Sequence, residues 1–200
     1  MGEVLLMRVL VACEFSGVVS KAFRNRGHDA WSCDLLDTED VTGYAYHIVG
    51  DVLKLIDDGW DLMIAHPPCT HLARSGARWF KDKVTEQQEA IAFVLALGNA
   101  NIPRIAIENP IGVLSSRFRK PDQIIHPWMF GHPESKATCL WLKGLSPLKP
   151  TRNVYEEMLT LPLKERTRIH YAAPGPDRWK NRSRTYQGIA EAMAEQWGSF

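Results

Sequence analysis

The sequence predicts an α/β domain built on a mostly parallel, doubly wound sheet, and two observations carry that prediction. Short, nearly continuous apolar runs recur along the first 110 or so residues, each followed by a helical or turn-rich stretch. Strands that are apolar on both faces belong to sheets covered on both sides by helices. The residues just after those runs are polar and marked by glycine or proline, at the strand ends where open α/β sheets bind their ligands. A chain of 200 residues with 45% hydrophobic content is long enough for one such core with a small appendage.

The elements follow in order. "MRVLVAC" (Met7 to Cys13) reads as a first strand, and "SGVVSKAFRNRG" follows it. There Val19, Ala22, Phe23 and Arg26 fall at helical spacing before Gly27 stops the helix. "AWSCD" (Ala30 to Asp34) is a second strand, which completes a β-α-β unit, and "YHIVGD" is a third. "DLMIAH" and "RIAIEN" are the fourth and fifth, separated by the clearest helix, "TEQQEAIAFVLALGNA", which Thr85 is expected to cap with Gln88 at the capping-box position. "ESKATCLWLKG" holds a further strand ending at Gly144, and "SRTYQGIAEAMAEQW" a closing helix. The whole is Rossmann-like.

Composition narrows the classes of function. Cys13, Cys33, Cys69 and Cys139 are scattered with no C-x-x-C pair, which argues against a zinc knuckle and against a secreted disulfide framework, so reduced thiols and no metal are expected. "VLLMRVLVAC" is short, contains Arg8 and lacks a basic region and cleavage site, so it reads as a buried strand of a cytoplasmic protein without a membrane segment. Nothing in the sequence calls for more than a monomer. The halves differ in charge: residues 1–100 carry 9 basic and 14 acidic side chains, residues 101–200 carry 15 and 9. Seven basic residues lie between Lys164 and Arg184, with Tyr171 and Trp179 among them. Such a stretch suits phosphate neutralisation and base stacking, and equally a solvated surface loop.

The strand ends carry the chemistry. After the first comes "CEFSG" with Gly17, after the second Asp34, after the third Gly50 and Asp51. An acid ending the second strand suits a ribose diol, and a second acid nearby suits an adenine amino group. No complete phosphate-cradling glycine loop is present, since Val19 stands where a dinucleotide fingerprint has glycine. An adenosyl ligand without phosphates, such as S-adenosylmethionine, fits better than a diphosphate cofactor. After the fourth strand comes "HPPCT", after the fifth "ENP", and both proline turns hold a side chain in place. Cys69 and Glu108 are thereby expected at neighbouring strand ends, a thiolate beside a carboxylic acid, which suits covalent attack on an electron-poor ring. The competing readings are a small buried hydrophobe for Cys69 and a cap or an ion pair with Arg104 or Arg117 for Glu108.

In this order the motifs resemble those of the cytosine-C5 DNA methyltransferases, over roughly the first 110 residues. Phe15 and Gly17, flanking Ser16, match the F-x-G of the first motif. Asp34, followed by Leu35, matches the ribose acid, and Asp51, followed by Val52, the adenine-side acid. Pro67-Pro68-Cys69 matches the nucleophile loop, Glu108-Asn109 the E-N pair, and Gly76 the glycine of the P-C-Q-x-x-S-x-x-G loop. The resemblance implies a Rossmann-like S-adenosylmethionine-dependent methyltransferase fold and a cytosine flipped out of DNA. It further implies attack of Cys69 on C6, engagement of N3 and the exocyclic amine by Glu108, and methylation at C5. His66, His71 or Arg74 are the candidates for lowering the pKa of Cys69. Arg74 and Arg78 are expected to touch phosphates beside the flipped base.

The chain departs from that pattern at Thr70 (Gln in the family), Pro110 (Val) and Val19 (Gly). It also lacks the Q-R-x-R arginine that holds the cytosine carbonyl oxygen, for which Lys136 is the available substitute. The expected organisation is a catalytic and cofactor-binding domain over 1–145, a short basic recognition segment over 146–184 with Arg178, Lys180, Arg182 and Arg184, and a C-terminal helix over 185–200 packed back on the first. This compact form is similar to small cytosine methylase-like proteins of bacteriophage genomes, a setting of DNA modification and restriction. Two alternatives stay open: C5 methylation of a free pyrimidine nucleotide, and a catalytically silent DNA-binding or decoy protein.

Overall fold

The computed structural model describes residues 6–74 and 82–199. The strands are β1 (Arg8–Ala12), β2 (Asp29–Asp34), β3 (His47–Val49), β4 (Leu62–Ala65), β5 (Arg104–Pro110), β6 (Gln123–Ile125) and β7 (Thr138–Lys143). They form one sheet in the order β3-β2-β1-β4-β5-β7-β6. β1 to β5 are parallel, and β7 runs antiparallel to both β5 and β6. The mostly parallel, doubly wound α/β sheet read from the sequence is therefore the one present. The strand order reverses at β1/β4, the switch point where such sheets open a crevice.

Both faces are covered, as continuous apolar strands require. Val9 and Val11 of β1 point to a core shared with α1 (Val18–Arg24) and α7 (Gln187–Trp197), where Val19, Ala22 and Phe23 meet Ile189, Met193 and Trp197. Leu10 and Ala12 point the other way, to a core that takes Val94 and Leu97 from α2 (Val84–Gly98). The short helices α3 (Leu114–Arg117), α4 (Tyr155–Thr160), α5 (Leu163–Arg166) and α6 (Arg178–Ser183) lie between these larger elements, and neither they nor β6 stand out in the sequence.

One expectation needs correction. Thr85 does not cap α2: the helix starts at Val84, Lys83 is in the cap position, and no side-chain cap bond forms. The first turn is instead docked by Gln87 Nε2, which donates to the His71 carbonyl over 3.0 Å. The closing helix runs from Gln187, near the expected start, with Arg184 and Tyr186 extended before it. Among the described residues no helix is long and apolar enough to cross a membrane, and no cluster of His, Cys, Asp or Glu side chains is arranged to hold a metal ion.

Candidate active site

The carboxyl ends of β1 to β5 meet at one edge of the sheet, and the antiparallel β7 brings its amino end to the same edge. In register, Asn109 faces Cys139 and Pro110 faces Thr138, which brings the segment before β7 to this edge, where the Lys136 ammonium acts on Glu108. Strand direction thus adds an ammonium group from residue 136 to a site otherwise built from residues 13–109.

On the cofactor side, the turn after β1 is held tightly. Cys13 adopts a left-handed backbone, φ 59°, uncommon for a residue with a side chain. It is sustained by its neighbours: Glu14 N donates to the Cys33 carbonyl, and the buried Glu14 carboxylate accepts from Val19 N (2.6 Å) and Ser20 N (3.1 Å). Glu14 thereby satisfies two free amides of the α1 amino terminus, a role that the sequence reading did not assign. Gly17 is also left-handed, φ 69°, and a Cβ there would lie 2.5 Å from Asp40 Cβ, so the loop after β2 rests directly on it. Asp40 is fixed in turn by Arg24 (2.7 Å) and Lys21 (3.4 Å).

Asp34 ends β2 and accepts from Leu36 N; burial pushes its carboxyl pKa upward against hydrogen bonds from Leu36 and Leu35. Asp51 is exposed and accepts from Leu53 N at the start of a short turn, with Val52 buried behind it. Between the two acids a Cβ on Gly50 would meet nothing within 4 Å, and Leu35, 76% exposed, forms an apolar ledge. Two carboxylates and an apolar surface around open space fit the polar and flat parts of an adenosyl group. Ser16 Oγ reaches Glu14 Oε1, and Phe15 is buried with its ring against Trp179, centroids 5.8 Å apart.

The acceptor side centres on Cys69, Glu108 and Asn109. Pro67 is buried, whereas Pro68 and Cys69 are exposed, so the reading of Cys69 as a small core hydrophobe does not hold. Asn109, 1% exposed, donates from Nδ2 to the Pro67 carbonyl over 2.8 Å and ties the end of β5 to the proline turn. Beyond the cysteine, Leu72 and Ala73 turn back on the Cys69 carbonyl, and Arg74 N reaches Ile111 O. Gly112 makes this approach possible: a Cβ there would fall 1.9 Å from the Leu72 carbonyl oxygen.

Glu108 pairs with neither Arg104 nor Arg117; His66 Nδ1 lies 3.4 Å from its Oε2. Burial disfavours the charged form, but the His66 contact, the Lys136 ammonium and the Thr138 hydroxyl outweigh it and hold the carboxyl below its ordinary value. Cys69 is shifted the other way. Although the residue is exposed, partial desolvation at the turn and the nearby Glu108 carboxylate raise its pKa, while Lys136 and Arg182 act to lower it. The cations that favour the thiolate are thus Lys136 and Arg182, in place of the expected His66, His71 and Arg74; His66 is oriented toward Glu108.

The basic segment folds over the site edge. Arg184 grips Glu39 with Nε (2.8 Å) and Nη2 (2.6 Å), and Lys136 Nζ donates to the Arg182 carbonyl over 3.1 Å. Arg178 donates to the Ala172 and His170 carbonyls, and Lys180 Nζ lies 4.0 Å from Asp177. Arg74 is exposed; Arg78 and Gly76 lie outside the described residues.

No known protein family and no curated protein matches the sequence. Solved structures match at the level of fold. The methyltransferase EhMeth of Entamoeba histolytica aligns with a TM-score of 0.50 at 14% identity, over 74% of this chain and 57% of its own. A protein described as a DNA modification methyltransferase, encoded within an E. coli prophage, aligns with a TM-score of 0.48 at 14% identity, over 68% and 46%. The 16S rRNA methylase RmtB aligns with a TM-score of 0.35 at 19% identity, over 68% and 55%. The chain spans about half the length of the solved structures it matches. The strand order and the likeness to EhMeth together give this chain a Rossmann-like α/β fold similar to that of EhMeth.

Proposed function

We propose that this chain is an S-adenosylmethionine-dependent methyltransferase acting on C5 of a cytosine in DNA, with Cys69 as the nucleophile. The observation that carries the reading is the shared sheet edge. Cys69, Glu108 and Lys136 occupy the ends of β4, β5 and β7, next to the open space flanked by Asp34 and Asp51 at the ends of β2 and β3. S-adenosylmethionine, when bound, supplies an electrophilic methyl group; Asp34 and Asp51 would hold its ribose and adenine, with Leu35 and Val52 along the base.

The raised Cys69 and lowered Glu108 favour a resting pair of a Cys69 thiol beside a Glu108 carboxylate. The sulfur adds to C6 as its proton passes through Glu108 to N3, so the S–C6 bond forms without a lasting extra charge on the pair. Moving that proton relieves the repulsion by which Glu108 raises Cys69. C5 becomes nucleophilic and takes the methyl group. Loss of the C5 proton to water breaks the S–C6 bond, and the N3 proton returns through Glu108 to the thiolate. Lys136 offers the carbonyl oxygen an ammonium donor where the cytosine-C5 methyltransferases that the sequence resembles have arginine. Asn109 holds the turn that presents Cys69.

The experiment is methyl transfer from labelled cofactor to duplex DNA, with dCMP as a parallel acceptor. Transfer to DNA that yields 5-methylcytosine and is abolished in Cys69→Ala supports the proposal. Transfer to dCMP alone makes the protein a nucleotide-modifying enzyme, and cofactor binding without transfer to either overturns the catalytic reading.

A further inference from the structure

Helix α6 is six residues long, buries none of them, and is too short to be stable alone. Its position therefore depends on a few contacts, and those contacts reach both halves of the site. Trp179 sets its ring against Phe15 at the cofactor turn, the Arg182 carbonyl accepts from Lys136 at the acceptor side, and Arg184, just past the helix, forms a two-pronged pair with Glu39. Glu39 belongs to the cofactor side as well: its N–H donates to the Phe15 carbonyl over 2.8 Å, and the next residue, Asp40, is packed on Gly17.

We infer that Glu39 and Arg184 are positioning residues, a latch that seats α6 across the site so that Trp179 closes the cofactor side over Phe15 and the Arg182 carbonyl aims Lys136 at Glu108 and Cys69. The role assigned to the two sides rests on the function proposed above; the latch itself rests on the contacts alone. An isolated exposed ion pair contributes little, but a two-pronged arginine–carboxylate pair is the strongest geometry, and here it is one of very few ties on a short element. Occupancy of the cofactor space beside Leu35 and recognition by the basic segment are coupled through the same loop.

The test uses the full chain with Glu39→Gln, Arg184→Gln and the double variant; both side chains are partly exposed, so the fold is retained. Hydrogen exchange at the amides of residues 178–183 is expected to quicken about fivefold in Glu39→Gln; Arg184→Gln, which also removes the contact of Arg184 with Asn181 inside the segment, is expected to be at least as fast, and the double variant no faster than Arg184→Gln alone, since both changes remove the Glu39–Arg184 pair. S-adenosylmethionine affinity by calorimetry is expected to weaken by a similar factor. Unchanged exchange in Glu39→Gln, or effects of the two changes that simply multiply, overturns the latch. A wild-type chain that binds no S-adenosylmethionine overturns the functional proposal while exchange still decides the latch.

Discussion

Replacing Asn109 by alanine isolates what holds the nucleophile turn. The side chain is 1% exposed, and its Nδ2 is the donor to the Pro67 carbonyl, a buried acceptor that alanine leaves without it. An unpaired buried carbonyl costs about 1–3 kcal/mol. Asn109 Oδ1 makes no hydrogen bond among the described residues, so its removal adds little to that figure. For a domain of this size each kcal/mol lowers the melting temperature by roughly 2–4 °C, so a fall of roughly 2–12 °C is expected. Asn109→Asp is expected to be worse than alanine, because it sets a carboxylate against the Pro67 carbonyl and beside Glu108. Equilibrium urea unfolding gives the stability, and iodoacetamide labelling of Cys69, followed by mass spectrometry, reports the turn, which is expected to label faster once released. A variant as stable as wild type with unchanged Cys69 labelling would refute the claim that Asn109 tethers the turn.

Three further outcomes follow from the geometry. The pH midpoint for Cys69 alkylation is expected to lie above that of a free thiol, to fall in Glu108→Gln and to rise in Lys136→Ala, because the first removes a charge that raises it and the second one that lowers it. Asp40→Asn is expected to cost about 1–3 kcal/mol at neutral pH. The Asp40 carboxyl is held below its ordinary value by Thr42 and Lys21 against the opposing effect of burial. Its stabilisation is therefore complete above the unfolded carboxylate value of about 3.9. It is lost as pH falls through the lower folded value, so the wild-type and variant unfolding curves converge in acid. Gly112→Ala brings a Cβ onto the Leu72 carbonyl and must displace backbone. A loss of about 2 kcal/mol or more is expected, with faster Cys69 labelling, and a neutral result by urea unfolding would mean that Leu72–Ala73 does not need this approach.

The sheet was legible because burial on both faces writes its period into the strands: "RVLVA" and "LMIA" have no polar face to disguise them, and the residues that end them stand out by contrast. Asp34, Asp51, Cys69 and Glu108 could be placed at one edge from the sequence because parallel strands share a carboxyl end. Helix starts were less legible. Thr85 looks like a cap, yet the helix starts one residue earlier and its first turn docks through Gln87 on His71, a contact between residues 16 apart that no local pattern encodes. Glu14 could have been suspected from its place before a helix, whereas the partner of Glu108 could not.

What the sequence by itself determined is the order of strand ends and the residue types they carry, since the apolar period and the proline turns are local properties. What only the tertiary structure decided is which charges meet. His66 turns to Glu108 and away from Cys69, Lys136 enters because β7 runs antiparallel, and Arg184 joins Glu39 across 145 positions of chain. The physical reason is range: electrostatic pairing depends on distance through space, and that is set by how the chain crosses the sheet and comes back over its edge.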